Sequence, residues 1–258
     1  MKSKPTIIIA IIHSLLISSN NCDICFKELG KSYLKDAWGN KYHEQHLENG
    51  IFCNTCSRII SKRITRGGFQ FNDGRFMCNL CEAHIVKNNN ESLFLESINS
   101  VLKILSDKGV HISKEQFDVK LVDKDVLQSS MHGLTNHNPN TLKGTTSINK
   151  KKYIINILWG LHQLEFKGVL AHELMHVWGD YHNIKLSNSK LEGLCNTGSA
   201  FIYKDSNTEL SRILLRSLEE NDDPVYGHGY KYINVMIKKH GWKDIVNRLI
   251  NHNHNWLN

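Results

Sequence analysis

Residues 168–178 read Gly168-Val-Leu-Ala-His172-Glu-Leu-Met-His176-Val-Trp178. Positions i and i+4 of a helix share one face, so His172 and His176 can bind a single ion. Glu173 sits beside them, within reach of a water on that ion. Leu170, Leu174, Val177 and Trp178 fall on the opposite side, where they would enter a core. The spacing predicts a helix over 167–180 that is amphipathic in the sense metal chemistry requires.

Two histidines need a third protein ligand. Glu192 lies 16 residues after His176, within Lys190-Leu-Glu-Gly-Leu-Cys195, and the Gly-, Asn- and Ser-containing stretch before it can turn the chain back. A Glu on a second helix is the usual third ligand in one large group of zinc peptidases, so the expected centre is His172, His176 and Glu192 in a gluzincin-like arrangement. Three ligands leave one position for water, with Glu173 as general base. Asp180, one turn past His176, is a candidate to orient a ligand histidine. Cys195 reads as a buried thiol rather than a ligand.

Around this helix the texture is α+β. Leu93, Leu95, Ile98, Val101, Leu102 and Leu105 recur at helical spacing, with Gly109 near the stop. The 117–122 stretch alternates like a strand, and 153–159 is a second strand candidate, suited to be the edge that holds an extended substrate. Residues 129–150 are polar and read as a loop. Helices are expected at 209–219, 230–240 and 242–251.

Upstream the chain is different. Six of its seven cysteines lie in pairs separated by two residues. Cys22 and Cys25 are followed, after 17 residues, by His43 and His46 at the same internal gap. Cys53 and Cys56 are followed, after 21 residues, by Cys78 and Cys81. A CxxC turn points two thiolates at one ion and the second pair closes a tetrahedron, so two structural zinc sites are expected. Each excursion carries a hairpin signal, Trp38-Gly-Asn40 in the first and Asn72-Asp-Gly74 in the second. Disulfides are the rival reading of the cysteines, but they leave the placement of His43 and His46 without a purpose.

The chain has 258 residues, three prolines and 40% hydrophobic residues, enough to bury a core and too many for wholesale disorder. Its 15 histidines fit metal chemistry. Lys2 and Lys4 precede an Ile-rich run at 7–17 and small polar residues, the layout of a signal peptide too short to span a membrane. Without residues 1–20 the net charge of +7 falls to +5, spread along the chain, which gives no basis for nucleic-acid binding. The expected organisation is a signal peptide at 1–20, a double zinc module at 21–86 and a mostly helical domain at 87–258.

The cysteine region resembles a LIM domain, with Trp38 ahead of the first histidine, although six residues rather than two join its modules. Taken with Ile155–Leu161, Gly168–Trp178 and Leu191–Cys195, the chain resembles the "DA-one" peptidase family, in which a LIM-type region precedes a zinc peptidase. Pro224-Val-Tyr-Gly-His-Gly-Tyr230 is similar to a late segment of that family. The resemblance implies a zinc metallopeptidase with one catalytic and two structural zinc ions. It also implies a protein or peptide substrate and a protein partner at the LIM-like module. Tyr226 and His228 are candidates to stabilise the oxyanion. The expected location is exported, periplasmic or secreted, if the leader is real, and cytoplasmic otherwise. The alternative is a LIM-type interaction scaffold with an inert peptidase domain.

Overall fold

The computed structural model describes residues 20–87, 91–130, 142–149 and 152–251. The expected leader, apart from Asn20, lies outside them. The architecture is mixed α+β, and the chain divides into two compact units between Asn49 and Gly50. The second cysteine cluster therefore shares a unit with the long helices.

The first unit is built around a two-stranded hairpin, β1 (Leu34–Lys35) and β2 (Lys41–Tyr42), followed by the short helix α1 (Gln45–Asn49). Asp36 makes the turn. Its Oδ1 accepts from the backbone N–H of both Trp38 and Asn40 at 2.9 Å, and Gly39 takes φ +87°, a conformation that favours glycine. Leu29, Tyr42 and Cys22 form the small core. So little apolar surface cannot hold a fold alone, which is why such units rely on a staple.

The second unit opens with another hairpin, β3 (Gly68–Gln70) and β4 (Phe76–Cys78), and the helical turn α2 (Asn79–Glu82). Then come α3 (Glu91–Asp107), β5 (Phe117–Val122), α4 (Lys124–Ser129), β6 (Gly144–Asn149) and β7 (Lys152–Leu158). The C-terminal half is helical: α5 (Gln163–Tyr181), α6 (Asn188–Ser206), α7 (Glu209–Glu219), α8 (Tyr226–His240) and α9 (Trp242–Ile250).

Two strand expectations need correction. The 144–149 part of the expected loop is strand β6. It is polar because it is the outer strand of a three-stranded sheet ordered β5-β7-β6, with its second half exposed. For the same reason β7 is not an edge. It pairs parallel with β5 and antiparallel with β6, and its Ile155, Ile157 and Leu158 are buried.

Helix α5 is capped by His162, whose Nδ1 accepts from the Leu164 N–H. Phe166, Leu170, Leu174, Met175, Val177 and Trp178 bury its far side. Helix α6 packs on α5 and α8 packs on α6. The α6–α8 crossing is backbone on backbone. A Cβ at Gly193 would lie 2.2 Å from the Gly229 carbonyl, and one at Gly229 would lie 1.9 Å from the Ser189 oxygen. Only glycines allow this approach, and it brings the start of α8 close to the face of α6 that carries Glu192. Among the described residues no helix is long and apolar enough to cross a membrane.

Candidate metal centres

None of the seven cysteines is in a disulfide. Six of them stand in two of three clusters able to hold a metal ion: Cys22, Cys25, His43, His46; and Cys53, Cys56, Cys78, Cys81. The fit to zinc can be tested by spacing. Donors around a tetrahedral zinc lie about 3.8 Å apart for two sulfurs, about 3.5 Å for sulfur and nitrogen, and roughly 3.3–3.5 Å for nitrogen and oxygen pairs, given bond lengths of ~2.3 and ~2.1 Å.

The first cluster meets this test. Cys25 Sγ lies 3.5 Å from His43 Nδ1. His43 Nε2 donates to the Glu28 carbonyl at 3.0 Å, which leaves Nδ1 with its lone pair for a metal. His46 Nε2 is buried with no hydrogen-bond partner, a cost that a metal would remove. Burial raises the Cys22 thiol, but the backbone groups of Cys25, His43 and Ile24 bring it down to about 6.

The second cluster is fully buried. Cys56 and Cys78 sulfurs are 3.8 Å apart, the tetrahedral edge. The Cys78 N–H points at Cys53 Sγ. Sulfur–sulfur hydrogen bonds pull Cys53 below an ordinary thiol, while the same neighbours push Cys56 and Cys81 above it. Four buried thiols cannot all ionise without a cation to share.

The third cluster joins α5 to α6. His172 and His176 Nε2 atoms are 3.2 Å apart. Glu192 Oε2 lies 3.2 Å from the first and 3.6 Å from the second. These three separations are close to the edges of one face of a tetrahedron of zinc size. Glu192 Oε2 is buried and makes no hydrogen bond. Burial would raise its carboxyl, but the two histidines hold it well below the usual carboxylate range. Cys195, one turn along α6, also offers its sulfur within 4.8 Å of both histidines. Burial, then Glu192 and Glu173, push that thiol far above its ordinary value, so it stays neutral and is the weaker donor.

Helix α6 supplies a residue that the motif did not reveal. Asn196 Oδ1 sits 3.0 Å from His172 Nδ1, and the Asn196 amide donates in turn to the Tyr226 carbonyl at 3.2 Å. The second bond sets the amide, so His172 Nδ1 carries the proton and Nε2 faces the cluster. Asp180 does not fill this role: it accepts from the Tyr153 hydroxyl at 2.7 Å.

Glu173 lies beside the cluster and turns toward the sheet. Thr146 on β6 donates to its Oε2 at 2.8 Å. Gly144 passes so close that a Cβ there would lie 2.6 Å from Oε1. The Tyr226 ring is 6.5 Å from the His172 ring, centroid to centroid. Burial first, then Glu192 and Glu173, raise its phenol well above the ordinary value, which keeps the O–H as a donor. His228 is exposed on α8. The crossing thus turns Tyr226 toward the cluster and His228 outward.

No family model matches the chain, and no solved structure matches it. It is similar to Protein DA1-related 7 of Arabidopsis thaliana, with 23% identity over 294 aligned positions. The alignment covers 85% of this chain and 51% of that protein, so the chain spans about half the length of the curated relative it matches. This supports a distant DA1-like relationship, consistent with a zinc-binding protein.

Proposed function

We propose that the chain is a zinc-dependent peptidase that hydrolyses peptide bonds in protein substrates, with residues 87–258 as the peptidase domain and 21–86 as a LIM-like module. The observation that carries this reading is the His172–His176–Glu192 triangle with the non-ligand carboxylate of Glu173 beside it. His172, His176 and Glu192 would hold a zinc ion, which would supply Lewis acidity to a bound water and to a substrate carbonyl. Glu173 accepts the proton of the attacking water and passes it to the leaving amine. Thr146 keeps the carboxylate aimed at that water. Tyr226 donates to the oxygen that gains charge. Outer strand β6 lies along the same side and can hold an extended peptide by strand addition. This geometry disfavours a scaffold with an inert domain, which has no need of Glu173, Thr146 and Tyr226 around one cluster.

Purified zinc-loaded chain is expected to cleave an unfolded protein, to stop with a strong chelator, and to resume when zinc is restored. Metal analysis of reduced protein should approach three equivalents, one for each cluster. A chain that holds all three and cleaves no peptide would return the scaffold reading.

Export follows from the Lys2–Lys4 start and the Ile-rich run. The chain recovered from its native cell should have lost its first 18–22 residues, read by intact mass. Full-length chain beginning at Met1 in a cytosolic pool would overturn it.

A further inference from the structure

Glu165 is buried in the first turn of α5, two turns ahead of Glu173. A carboxylate in that position must have both oxygens satisfied. Oε2 accepts from Thr55 Oγ1 at 3.0 Å, and Oε1 pairs with Lys143 Nζ at 2.5 Å. Thr55 is the residue just before Cys56, inside the buried Cys53–Cys56 turn. Lys143 is the residue just before β6, and its carbonyl accepts from the Leu158 N–H at the end of β7. One carboxylate therefore ties the second cysteine cluster to the strand that carries Gly144 and Thr146.

Other bonds dock the same module onto the β7–α5 connection. Arg75 donates to the Trp159 carbonyl at 2.8 Å, and Phe71 meets the Trp159 ring edge-on at 5.6 Å. Val86 N–H donates to Leu161 O, and Gln163 N–H to His84 O. The Thr55 contact is different in kind because it meets α5 itself, at a carboxylate that also holds Lys143 at the start of β6. Besides its ladder with β7, that strand is tied to α5 by two side-chain bonds, Lys143 to Glu165 and Thr146 to Glu173.

We infer that Thr55 and Glu165 are positioning residues: the Cys53–Cys81 module sets, through Glu165 and Lys143, where β6 lies over the Glu173 carboxylate. The catalytic part of this inference rests on the peptidase reading; the mechanical part does not. A module that only stapled its own fold would need no buried hydroxyl aimed at α5. Here closure of the cysteine turn holds Thr55, Thr55 and Lys143 hold Glu165, and the strand that aims Glu173 is held in turn.

The test is hydrogen–deuterium exchange of residues 143–149 in the zinc-loaded full chain, with peptide cleavage measured alongside. Thr55→Val and Glu165→Gln should speed exchange of β6 about fivefold, as expected for loss of one buried hydrogen bond, while exchange in α9 stays unchanged. Thr55→Ser keeps the hydroxyl and should restore wild-type exchange. In cleavage, Thr55→Val should lower kcat with KM nearly unchanged, and Thr55→Ser should recover it. Lys143→Met cuts the link from its partly exposed end, and it should speed β6 exchange even where Thr55→Val fails to fold. Wild-type exchange of β6 in Thr55→Val or Lys143→Met would overturn the link. So would Thr55→Ser behaving like Thr55→Val, since packing alone would then explain the site. If the wild-type chain cleaves nothing, the peptidase reading falls and the exchange result still decides the link.

Discussion

Glu173→Gln should leave zinc content and thermal unfolding near wild type while peptide cleavage falls about 10²–10⁴-fold, the usual worth of a general base. Adjacent positions on a helix diverge by about 100°, so Glu173 cannot join the face shared by His172 and His176. The three donor atoms of the cluster are accounted for without it, at separations of 3.2, 3.2 and 3.6 Å. Gln keeps the size of the side chain and an oxygen that can accept from Thr146, so the contact made at 2.8 Å survives. What it loses is the ability to take a proton. Steady-state kinetics with metal analysis on the same sample checks both halves. Cleavage at the wild-type rate would remove Glu173 from the mechanism, and loss of zinc would make it a ligand.

Glu192→Ala is expected to act on the metal first. The cluster then has two neutral imidazoles and no anionic donor, and its zinc affinity should fall by at least about 10²-fold, beyond the usual effect of mutating a hydrogen-bond partner of a ligand. Zinc in the two cysteine clusters should remain. Titration with a competing chelator would therefore show one site weakened and two unchanged. Cys195, one turn along α6, is the donor that groups with the two histidines within 4.8 Å among the described residues, so it is the rival third ligand. The double change Glu192→Ala with Cys195→Ala separates the cases. If the single variant binds zinc as wild type and the double variant does not, Cys195 is the third ligand and the assignment of Glu192 is wrong.

Much of this site could be read along the chain because its groups repeat at fixed local spacings. A four-residue step on a helix puts His172 and His176 on one face whatever the rest of the protein does. A two-residue gap does the same for each cysteine pair, and 117–122 alternated as a strand does. The Asn196 contact was within reach of the same reasoning, since it lies four residues after Glu192 on the same face of α6. Thr146 was not. Its stretch, Gly144-Thr-Thr-Ser-Ile-Asn149, is polar and reads as a loop, because an outer strand needs few apolar residues.

The sequence by itself determined the candidate donors' pairing within each motif and the helix that presents the central histidines. Those features depend on backbone periodicity, which neighbouring residues impose on one another. Only the tertiary structure decided that Glu192 comes within 3.2 and 3.6 Å of the two histidines, that β6 rather than β7 is the outer strand, and that Tyr226 faces inward while His228 faces solvent. The reason is that each of these follows from a contact between distant segments. The Gly193–Gly229 approach sets α8 against α6, and Glu165 meets Thr55 across 110 residues of chain. No local pattern encodes the partner of a glycine or of a buried carboxylate; packing chooses it when the whole core forms.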